Sequence, residues 1–273
     1  MKIQVVISGS CGYIGSAFCK EMHARNITFD WIRGSKNPTF DSILDSLRRK
    51  KPELVINSSA FIQKSSVDLN KNYPGETIMG NVVFPSMLAH ACEIAGVPLM
   101  HLSTGCLFDE AREYDETDTP LRGFDGYCGF YVGTKLLSEK AVLQYAKSYV
   151  LRIRLPFDEF SNPRNYLNKL IAYPKIYEHI NSLTHRGDFA KAALDLWALR
   201  SPYGVYHCAN TGQISARQVA DKMIAKGIIT KEPEFVSNET TGCRLSTKKL
   251  TDAGVKIRDV HEAVDSAIHN WTE

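Results

Sequence analysis

The chain has 273 residues, of which 44% are hydrophobic and 23% are charged. This size and composition fit one large α/β domain, or a domain with an appended lobe, around a sizeable core. The formal net charge of +3 is too small to favour nucleic acid or an anionic membrane surface as a partner.

Strand and helix patterns alternate through the first half of the chain. The first run, at 3–8, predicts a buried strand and not a signal peptide, because it is short and no small-residue cleavage site follows. The sequence then predicts, in chain order, a helix at 13–25, a strand at 28–32, a helix at 40–50, a strand at 54–57, a helix at 76–95, a strand at 98–103, a helix at 130–145 and a strand at 149–155. This alternation predicts a Rossmann-type α/β fold, a doubly wound parallel sheet covered by helices on both faces.

The rhythm changes after residue 156. The segment at 157–181 is rich in Asn, Pro and Tyr and predicts a lobe with one short helix at 166–172. Further on, the patterns predict a helix at 188–199, a strand at 205–208 and helices at 216–226 and 261–271. We therefore expect a dinucleotide-binding domain at 1–156 and a smaller C-terminal substrate lobe at 157–273, from which elements near 188–208 return to the sheet.

Cysteine and histidine usage points to the cytoplasm. The seven cysteines are scattered without a Cys-x-x-Cys pair, and the eight histidines form no His-x-x-x-His or Cys/His cluster. We expect reduced thiols and no metal site. No apolar run approaches the ~18 residues of a membrane span, so we expect no membrane partner.

A glycine-rich turn follows the first predicted strand and opens the first helix. Gly9, Gly12 and Gly15 are spaced G-x-x-G-x-x-G, with Tyr13 and Ile14 between the last two. Glycines there permit a tight turn and close approach of the backbone to a pyrophosphate, which the helix N-terminus also attracts. The pattern predicts a dinucleotide site formed by these five residues, although a purely structural turn would show the same glycines.

The end of the second strand indicates which dinucleotide is bound. Asp30 lies inside the predicted strand, whereas Arg33 and Lys36 lie just beyond it. Basic side chains there can pair with a 2′-phosphate, so NADPH is favoured, with NADH as the alternative. In the competing interpretation, Arg33 and Lys36 are solvated loop charges.

Small and polar residues at later strand ends are further candidates for cofactor binding. Asn57, Ser58, Ser59 and Ala60 end the third strand, where small side chains would let the backbone approach the adenosine. Asn57 could equally be an ordinary turn residue. Asn81 lies in the long helix that follows, and Pro156 ends the fifth strand, where the nicotinamide should lie or where the proline simply stops the strand.

A hydroxyl and a Tyr-x-x-x-Lys pair predict carbonyl chemistry. Tyr131 and Lys135 are four residues apart on a predicted helix, so both project from one face. An ammonium beside a phenol favours the phenolate, which lets tyrosine donate a proton near neutral pH. Thr104, at the end of the fourth strand, would bind the same substrate oxygen, with Ser103 as the alternative. Gly133, inside this helix, lowers its stability and would admit a cofactor or partner close to the backbone.

These motifs resemble those of one enzyme family through nearly the whole chain. The residues that carry the resemblance are Gly9, Gly12, Gly15, Asn57, Asn81, Thr104, Tyr131 and Lys135. Together they resemble an extended short-chain dehydrogenase/reductase, and within it the nucleotide-sugar 4-ketoreductases typified by dTDP-4-dehydrorhamnose reductase.

A closer resemblance is to the bifunctional 3,5-epimerase/4-reductases of nucleotide-rhamnose synthesis. Two strings carry it, Thr-Gly-Cys ending at Cys106 and Ser-Asn-Pro-Arg-Asn at 161–165, followed by Lys169. The resemblance implies that Cys106 and Lys169 exchange protons at C3 and C5 beside the ketone, since a thiol near a cation can act near neutral pH. Cys106 could instead be a small buried residue, and Lys169 a solvated helix lysine.

The same resemblance implies which residues would bind the substrate. Candidates for the nucleotide diphosphate or the sugar are Gln63, Lys64, Thr104, Arg164, Asn165 and Asn168. The implied activity is NADPH-dependent reduction of a nucleotide-linked 4-keto-6-deoxyhexose, preceded by 3,5-epimerisation in the same site. A monofunctional reductase and a non-catalytic regulatory subunit are the alternatives. The resemblance leaves the nucleotide open among dTDP, UDP and GDP, and it allows a homodimer formed through the helices at 76–95 and 130–145.

Overall fold

The computed structural model describes residues 2–32, 38–63, 66–126, 128–237 and 242–272. They form two compact units whose segments interleave along the chain. The first unit comprises Met1–Thr104, Arg122–Leu151 and Ser201–Tyr206, and the second comprises Gly105–Leu121, Arg152–Arg200 and His207–Glu273. This division differs from the single predicted boundary after residue 156, because 105–121 belongs to the second unit and 201–206 to the first.

Short strands are more numerous than the sequence predicted. In chain order they are Val5–Ser8 (β1), Phe29–Trp31 (β2), Leu54–Asn57 (β3), Leu99–Thr104 (β4), Arg112–Tyr114 (β5), Ser148–Ile153 (β6), Pro156–Phe157 (β7), Lys175–Tyr177 (β8), Ile180–Asn181 (β9), Thr184–His185 (β10), Gly204–His207 (β11), Ile214–Ser215 (β12), Glu234–Val236 (β13) and Cys243–Leu245 (β14).

Ten α-helices are described. They are Gly15–Ala24 (α1), Phe40–Lys50 (α2), Pro74–Ile78 (α3), Phe84–Ala95 (α4), Gly129–Val142 (α5), Tyr166–Ala172 (α6), Arg186–Ala198 (α7), Ala216–Ala225 (α8), Lys248–Asp252 (α9) and Val260–His269 (α10). Three elements, α2, β3 and α6, have the predicted bounds.

A six-stranded sheet forms the centre of the first unit. Its strand order is β11-β6-β4-β3-β1-β2. β1 pairs in parallel with β2 and with β3, and β3 pairs in parallel with β4. The chain therefore leaves β1 first toward β2 and then crosses to β3 on the other side, which places the reversal point of a doubly wound sheet at the carboxyl ends of β1 and β3. The predicted Rossmann-type fold is confirmed.

Helix α2, which packs on the sheet, has clear start and end signals in the sequence. The Thr39 side chain accepts a hydrogen bond from the Ser42 backbone N–H, and this caps the helix. Asp41 lies in the first turn and three basic residues lie in the last, which suits the helix dipole. Ile43 and Leu47 are buried against the sheet core together with residues of α4.

A continuous helical stretch runs from Pro74 to Ala95. It consists of α3, a five-residue π turn at Met79–Val83 and α4. By length and composition alone this stretch could cross a membrane, although the sequence predicted no such run. Leu88, Ala91 and Cys92 of α4 are fully buried in the core beside α2. These three residues are thus used for packing in the first unit, as on the buried side of a helix in a globular domain.

The second unit has its own core. Apolar residues of α6, α8 and α10 pack around Phe157, which is fully buried. Short strand pairs surround this core: β5 with β14, β7 with β10, β8 with β13 and β9 with β12. Segments of two or three residues are too short to show a period in the sequence, which is why most of these strands were not predicted.

Candidate functional site

The turn between β1 and α1 leaves no room for a side chain at Gly9 or at Gly15. Gly9 has φ of +75°, and a Cβ there would lie 2.7 Å from the backbone nitrogen of Ser59. A Cβ on Gly15 would lie 2.0 Å from the Gly9 carbonyl oxygen. Gly12 closes the turn by donating from its backbone N–H to that same oxygen at 2.9 Å. The predicted glycine turn therefore brings bare backbone to the start of α1, as close approach of a pyrophosphate requires.

A cleft of about 660 Å³ lies at the carboxyl edge of the sheet in the first unit. Among its lining residues are Gly9, Ile32, Ser59, Ala60, Phe61 and Met79. Three of these were predicted to bind the cofactor. The small residues and apolar side chains of this lining suit an adenosine group. The predicted Arg33, Lys36 and Lys64 lie outside the described residues.

Other predicted cofactor residues hold the cleft together. Tyr13 is buried, and Ile14 immediately precedes α1. Asn57 is fully buried, and its Oδ1 accepts hydrogen bonds from the hydroxyls of Ser8 and Ser59, each at 2.7 Å. Ser58 Oγ donates to the Ser8 carbonyl at 2.6 Å.

Asn81 has a structural role that the sequence did not reveal. Its Oδ1 accepts from the Phe61 backbone N–H at 2.7 Å, and its Nδ2 donates to the Phe61 carbonyl at 3.2 Å. The side chain is 1% exposed. A direct contact with the cofactor, as predicted, is therefore replaced by support of the loop that lines the cleft.

The same loop is also fixed by Asn70, which was not predicted from the sequence. The buried Asn70 donates from Nδ2 to the Phe61 carbonyl at 2.8 Å and to Thr77 Oγ1 at 3.2 Å. Its Oδ1 accepts from the backbone N–H of Gln63 at 3.3 Å, so Gln63 is positioned by its main chain. Nothing in the local pattern distinguishes a buried loop asparagine from a solvated one.

The predicted Tyr-x-x-x-Lys pair lies on α5, which packs against β4. Lys135 is 2% exposed, and its Nζ donates to the Leu102 carbonyl of β4 at 2.7 Å. Burial lowers the pKa of Lys135 to about 8, and the nearby Glu139 carboxylate opposes that change. Tyr131, one turn earlier on the same helix, and Thr104, at the end of β4, are also nearly buried. The first unit therefore contains the phenol, the ammonium and the hydroxyl that carbonyl reduction needs.

Gly133 has an explanation within the same unit. A Cβ at this position would lie 2.6 Å from the Phe124 ring. The glycine admits that ring to the helix backbone, so the Phe124 side chain occupies the space that was predicted to admit a cofactor or partner.

In the second unit, Cys106 lies against an arginine. It is the middle residue of a short 3₁₀ turn at Gly105–Leu107 and is partly exposed. Arg154 Nη1 donates to Cys106 Sγ at 3.4 Å. Arg154 Nε and Nη2 both donate to Asn181 Oδ1, at 3.2 and 2.9 Å, which fixes the guanidinium in place. The thiol thus has a rigidly held cationic neighbour.

Electrostatics around Arg154 keep it charged. Burial disfavours the charged form, yet Cys106, Cys243 and Asp109 outweigh it and raise the pKa of Arg154. Arg154 was not among the site residues predicted from the sequence. A usable signal was present, because Arg152 and Arg154 alternate in an otherwise apolar strand pattern, and polar residues at that spacing share one side of the chain.

The predicted substrate residues around α6 have mixed outcomes. Asn165 is fully buried, accepts from the Leu167 backbone N–H and donates to the carbonyls of Asp158 and Phe160. It caps α6 and does not face a ligand, contrary to prediction, because its amide is used within the protein. Asn168 likewise joins the 161–165 loop, accepting from the Asn162 backbone N–H at 2.9 Å.

Three further predictions fall in the second unit. Arg164 and Lys169 are both partly exposed, and Lys169 lies within α6. Pro156 forms β7 and pairs with Thr184 of β10. The roles of these residues toward a substrate or nicotinamide stay predictions.

Comparison with known proteins identifies the family. The family model described as the RmlD substrate-binding domain matches residues 1–273. The chain belongs to this family. The resemblance inferred from the sequence motifs is thereby confirmed.

Relatives of this RmlD-family chain include several rhamnose-pathway enzymes. The bifunctional dTDP-4-dehydrorhamnose 3,5-epimerase/dTDP-4-dehydrorhamnose reductase of Arabidopsis thaliana is 30% identical over 225 residues, 79% of this chain and 73% of the relative. The chain spans only 33% to 35% of three longer trifunctional Arabidopsis relatives, each named as a UDP-glucose 4,6-dehydratase, 3,5-epimerase and reductase.

Solved structures share the fold. The UDP-rhamnose synthase of Acanthamoeba polyphaga mimivirus superposes with a TM-score of 0.85 at 20% identity, covering 99% of this chain and 100% of that one. The dTDP-4-dehydrorhamnose reductase of Bacillus anthracis, solved with NADP, gives a TM-score of 0.80 at 19% identity and covers 97% of each chain.

Proposed function

We propose that this RmlD-family chain is an NADPH-dependent reductase of a nucleotide-linked 4-keto-6-deoxyhexose, of the dTDP-4-dehydrorhamnose reductase type, and that it also epimerises C3 and C5 of the same sugar. One observation carries the reductase proposal. Lys135 is buried on α5, one turn after Tyr131, and its Nζ donates a hydrogen bond to the Leu102 carbonyl of β4. Family membership and the 30% identity to a bifunctional epimerase/reductase support it.

The dinucleotide fits the residues present. The bare backbone at Gly9 and Gly15 and the neighbouring cleft of about 660 Å³ suit its pyrophosphate and adenosine. NADPH bound there supplies a hydride for C4 of the sugar. NADH is the alternative donor.

Reduction at C4 needs a proton for the ketone oxygen. Tyr131 donates this proton as the carbonyl carbon is reduced, and its O–H bond breaks as the new O–H bond of the alcohol forms. Thr104 donates a hydrogen bond to the same oxygen and orients it. The Lys135 ammonium stabilises the phenolate that remains on Tyr131.

Epimerisation uses the acidity of protons next to the ketone. Cys106, which lies beside Arg154, acts as the base: its sulfur takes a proton from C3 or C5, and the electron pair of the broken C–H bond moves onto the ketone oxygen as an enolate. Thr104 and Tyr131 stabilise the enolate oxygen. Lys169 returns a proton to the opposite face of the carbon, which inverts the centre. The Arg154–Cys106 contact at 3.4 Å supports the thiol's part in this proposal.

The remaining assignments are proposals of the same kind. Arg164, which is partly exposed, would pair with the nucleotide diphosphate. The names of the relatives include both dTDP and UDP sugars, so we propose these two nucleotides as the first substrates to test. We also propose a cytoplasmic enzyme that forms a homodimer through the helical stretch Pro74–Ala95 and α5.

A substrate panel tests the proposal. The protein is incubated with dTDP-, UDP- and GDP-linked 4-keto-6-deoxyhexoses, each with NADPH or NADH, and the products are identified by NMR. We expect NADPH oxidation with at least one of these sugars and a 6-deoxyhexose inverted at C3 and C5. Reduction only of sugar that is already epimerised would show a monofunctional reductase. No oxidation with any sugar would contradict the reductase proposal and favour a regulatory subunit.

A further inference from the structure

A buried polar chain in the first unit leads from the cofactor cleft to Lys135. Its side chains are Asn57, His101, Ser138 and Lys135, all 2% exposed or less. Reduction as described above uses only the lysine. His101, at its centre, lies on β4 and contacts each of the other three.

The Asn57 side fixes one nitrogen of the imidazole. Asn57 Oδ1 already accepts from the hydroxyls of Ser8 and Ser59, so its Nδ2 is the group that faces His101. Nδ2 lies 3.0 Å from His101 Nδ1. An amide N–H can only donate, so Nδ1 is the acceptor and the ring proton is on Nε2.

The Ser138 side requires the same tautomer independently. The Ser138 hydroxyl donates to the Lys135 carbonyl at 2.7 Å. Its oxygen lies 3.1 Å from His101 Nε2. Because the hydroxyl hydrogen of Ser138 is already donated to that carbonyl, its oxygen can only accept from Nε2–H. Burial, together with the charge of Lys135, lowers the pKa of His101 well below its ordinary value, so the imidazole is neutral.

The consequence falls on Lys135, whose Nζ lies 3.4 Å from the same Nε2. An ammonium gains nothing from a neighbouring N–H, whereas a neutral amine can accept from it. We propose that His101, held in the Nε2–H tautomer by Asn57 and Ser138, is a positioning residue that favours the amine form of Lys135 and thereby sets the upper pH limit of reduction. The part about reduction rests on the proposed function, and the part about Lys135 does not.

The elements that pack against α5 carry other charged groups. Asp68 pairs with Lys71 on the 3₁₀ turn at Asp68–Asn72, His90 pairs with Glu93 on α4, and Glu76 of α3 is exposed. Glu139, on the next turn of α5, is buried and favours the ammonium. His101 and Glu139 thus act on Lys135 in opposite directions.

Titration of Lys135 in the free enzyme tests the proposal without a substrate. Protein labelled with 13Cε-lysine is titrated by NMR, and Lys135→Met identifies the resonance. His101→Asn removes the Nε2–H that faces Lys135 and should raise the titration midpoint of Lys135 by roughly half a pH unit or more. Ser138→Ala removes the competing acceptor, so Nε2–H is left to Lys135 and the midpoint should fall. Unchanged midpoints, or shifts in the same direction, would overturn the proposal.

If His101→Asn does not fold, the titration midpoint of Lys135 in Ser138→Ala still tests the proposal. A loss of packing alone would lower activity at every pH and would not move the two midpoints in opposite directions. The pH profile of ketone reduction is then measured in the same variants. If the midpoints shift as expected but the protein reduces no ketone, the role of His101 is supported and the proposed function is refuted. If the enzyme reduces a ketone but the midpoints do not move, the proposed function is supported and the role of His101 is refuted.

Discussion

The Arg154 guanidinium holds Cys106 with one nitrogen and Asn181 with the other two. Nη1 donates to Cys106 Sγ at 3.4 Å, while Nε and Nη2 share Asn181 Oδ1. This arrangement fixes a positive charge beside the one thiol that the proposed epimerisation uses. It makes Arg154 the residue through which the two proposed activities can be separated.

Replacing Arg154 should impair epimerisation more than reduction. Arg154→Gln removes a charge-assisted contact of about 1.5–3 kcal/mol, so proton exchange at C3 and C5 should slow roughly tenfold to a hundredfold. Arg154→Lys keeps the charge but loses the fork that grips Asn181, so its exchange rate should be intermediate. Exchange is followed by NMR in D2O, and reduction is assayed with sugar that is already epimerised. An unchanged exchange rate in Arg154→Gln would show that Arg154 does not assist Cys106 in proton exchange.

Removing the Tyr131 hydroxyl should abolish most of the reduction. Tyr131→Phe lacks the proton donor, so kcat should fall by about a hundredfold or more. Tyr145→Phe is the matched control, because this change also removes a buried hydroxyl. The Tyr145 hydroxyl donates to the Val97 carbonyl at 3.0 Å and takes no part in the proposed chemistry. The rate of NADPH oxidation measures both. Equal losses in the two variants would indicate that only stability was affected.

Reduction should fail at a lower pH than an ordinary lysine would allow. The pKa of Lys135 is lowered by burial to about 8, so its ammonium is present below pH 8 and is lost as the pH rises through that value. The kcat profile should therefore have an alkaline limb near pH 8. A profile that stays level until pH 10 would show that the charge of Lys135 is not required.

Adding one methyl group to the dinucleotide turn should block the cofactor. In Gly15→Ala the new Cβ would lie 2.0 Å from the Gly9 carbonyl oxygen, so the turn must open. We expect NADPH to bind at least about tenfold more weakly, as a shift of 1.4 kcal/mol implies. Gly123→Ala is the control, since no atom of the described residues lies within 4 Å of its Cβ. Fluorescence titration measures both dissociation constants, and equal affinities would contradict the assigned turn.

The sequence predicted the features that depend on local spacing. These are the glycines at 9, 12 and 15, the pair Tyr131 and Lys135, and the alternation of strands and helices, each of which can be recognised within one element or from one element to the next. Arg154 and Cys106, in contrast, are 48 residues apart, and Lys135 and His101 are 34 apart. Such contacts arise from the order of strands in the sheet and from long loops, which no local period encodes.

Two amides show why the motifs alone were insufficient. Asn81 was predicted as a cofactor contact, and Asn165 was predicted as a substrate contact through the family resemblance. In the fold, Asn81 bonds the backbone of Phe61, and Asn165 caps α6. A buried backbone group needs a partner as much as a ligand does, and the sequence does not show which of the two an amide will meet.

The most direct test of the account is deuterium exchange at C3 and C5 of the 4-keto sugar in D2O, with NADPH left out. We expect exchange at both carbons in the unmodified enzyme. We expect that exchange to be lost in Cys106→Ala, while this variant still reduces sugar that is already epimerised when NADPH is added. Absence of exchange in the unmodified enzyme, or full exchange in Cys106→Ala, would contradict it.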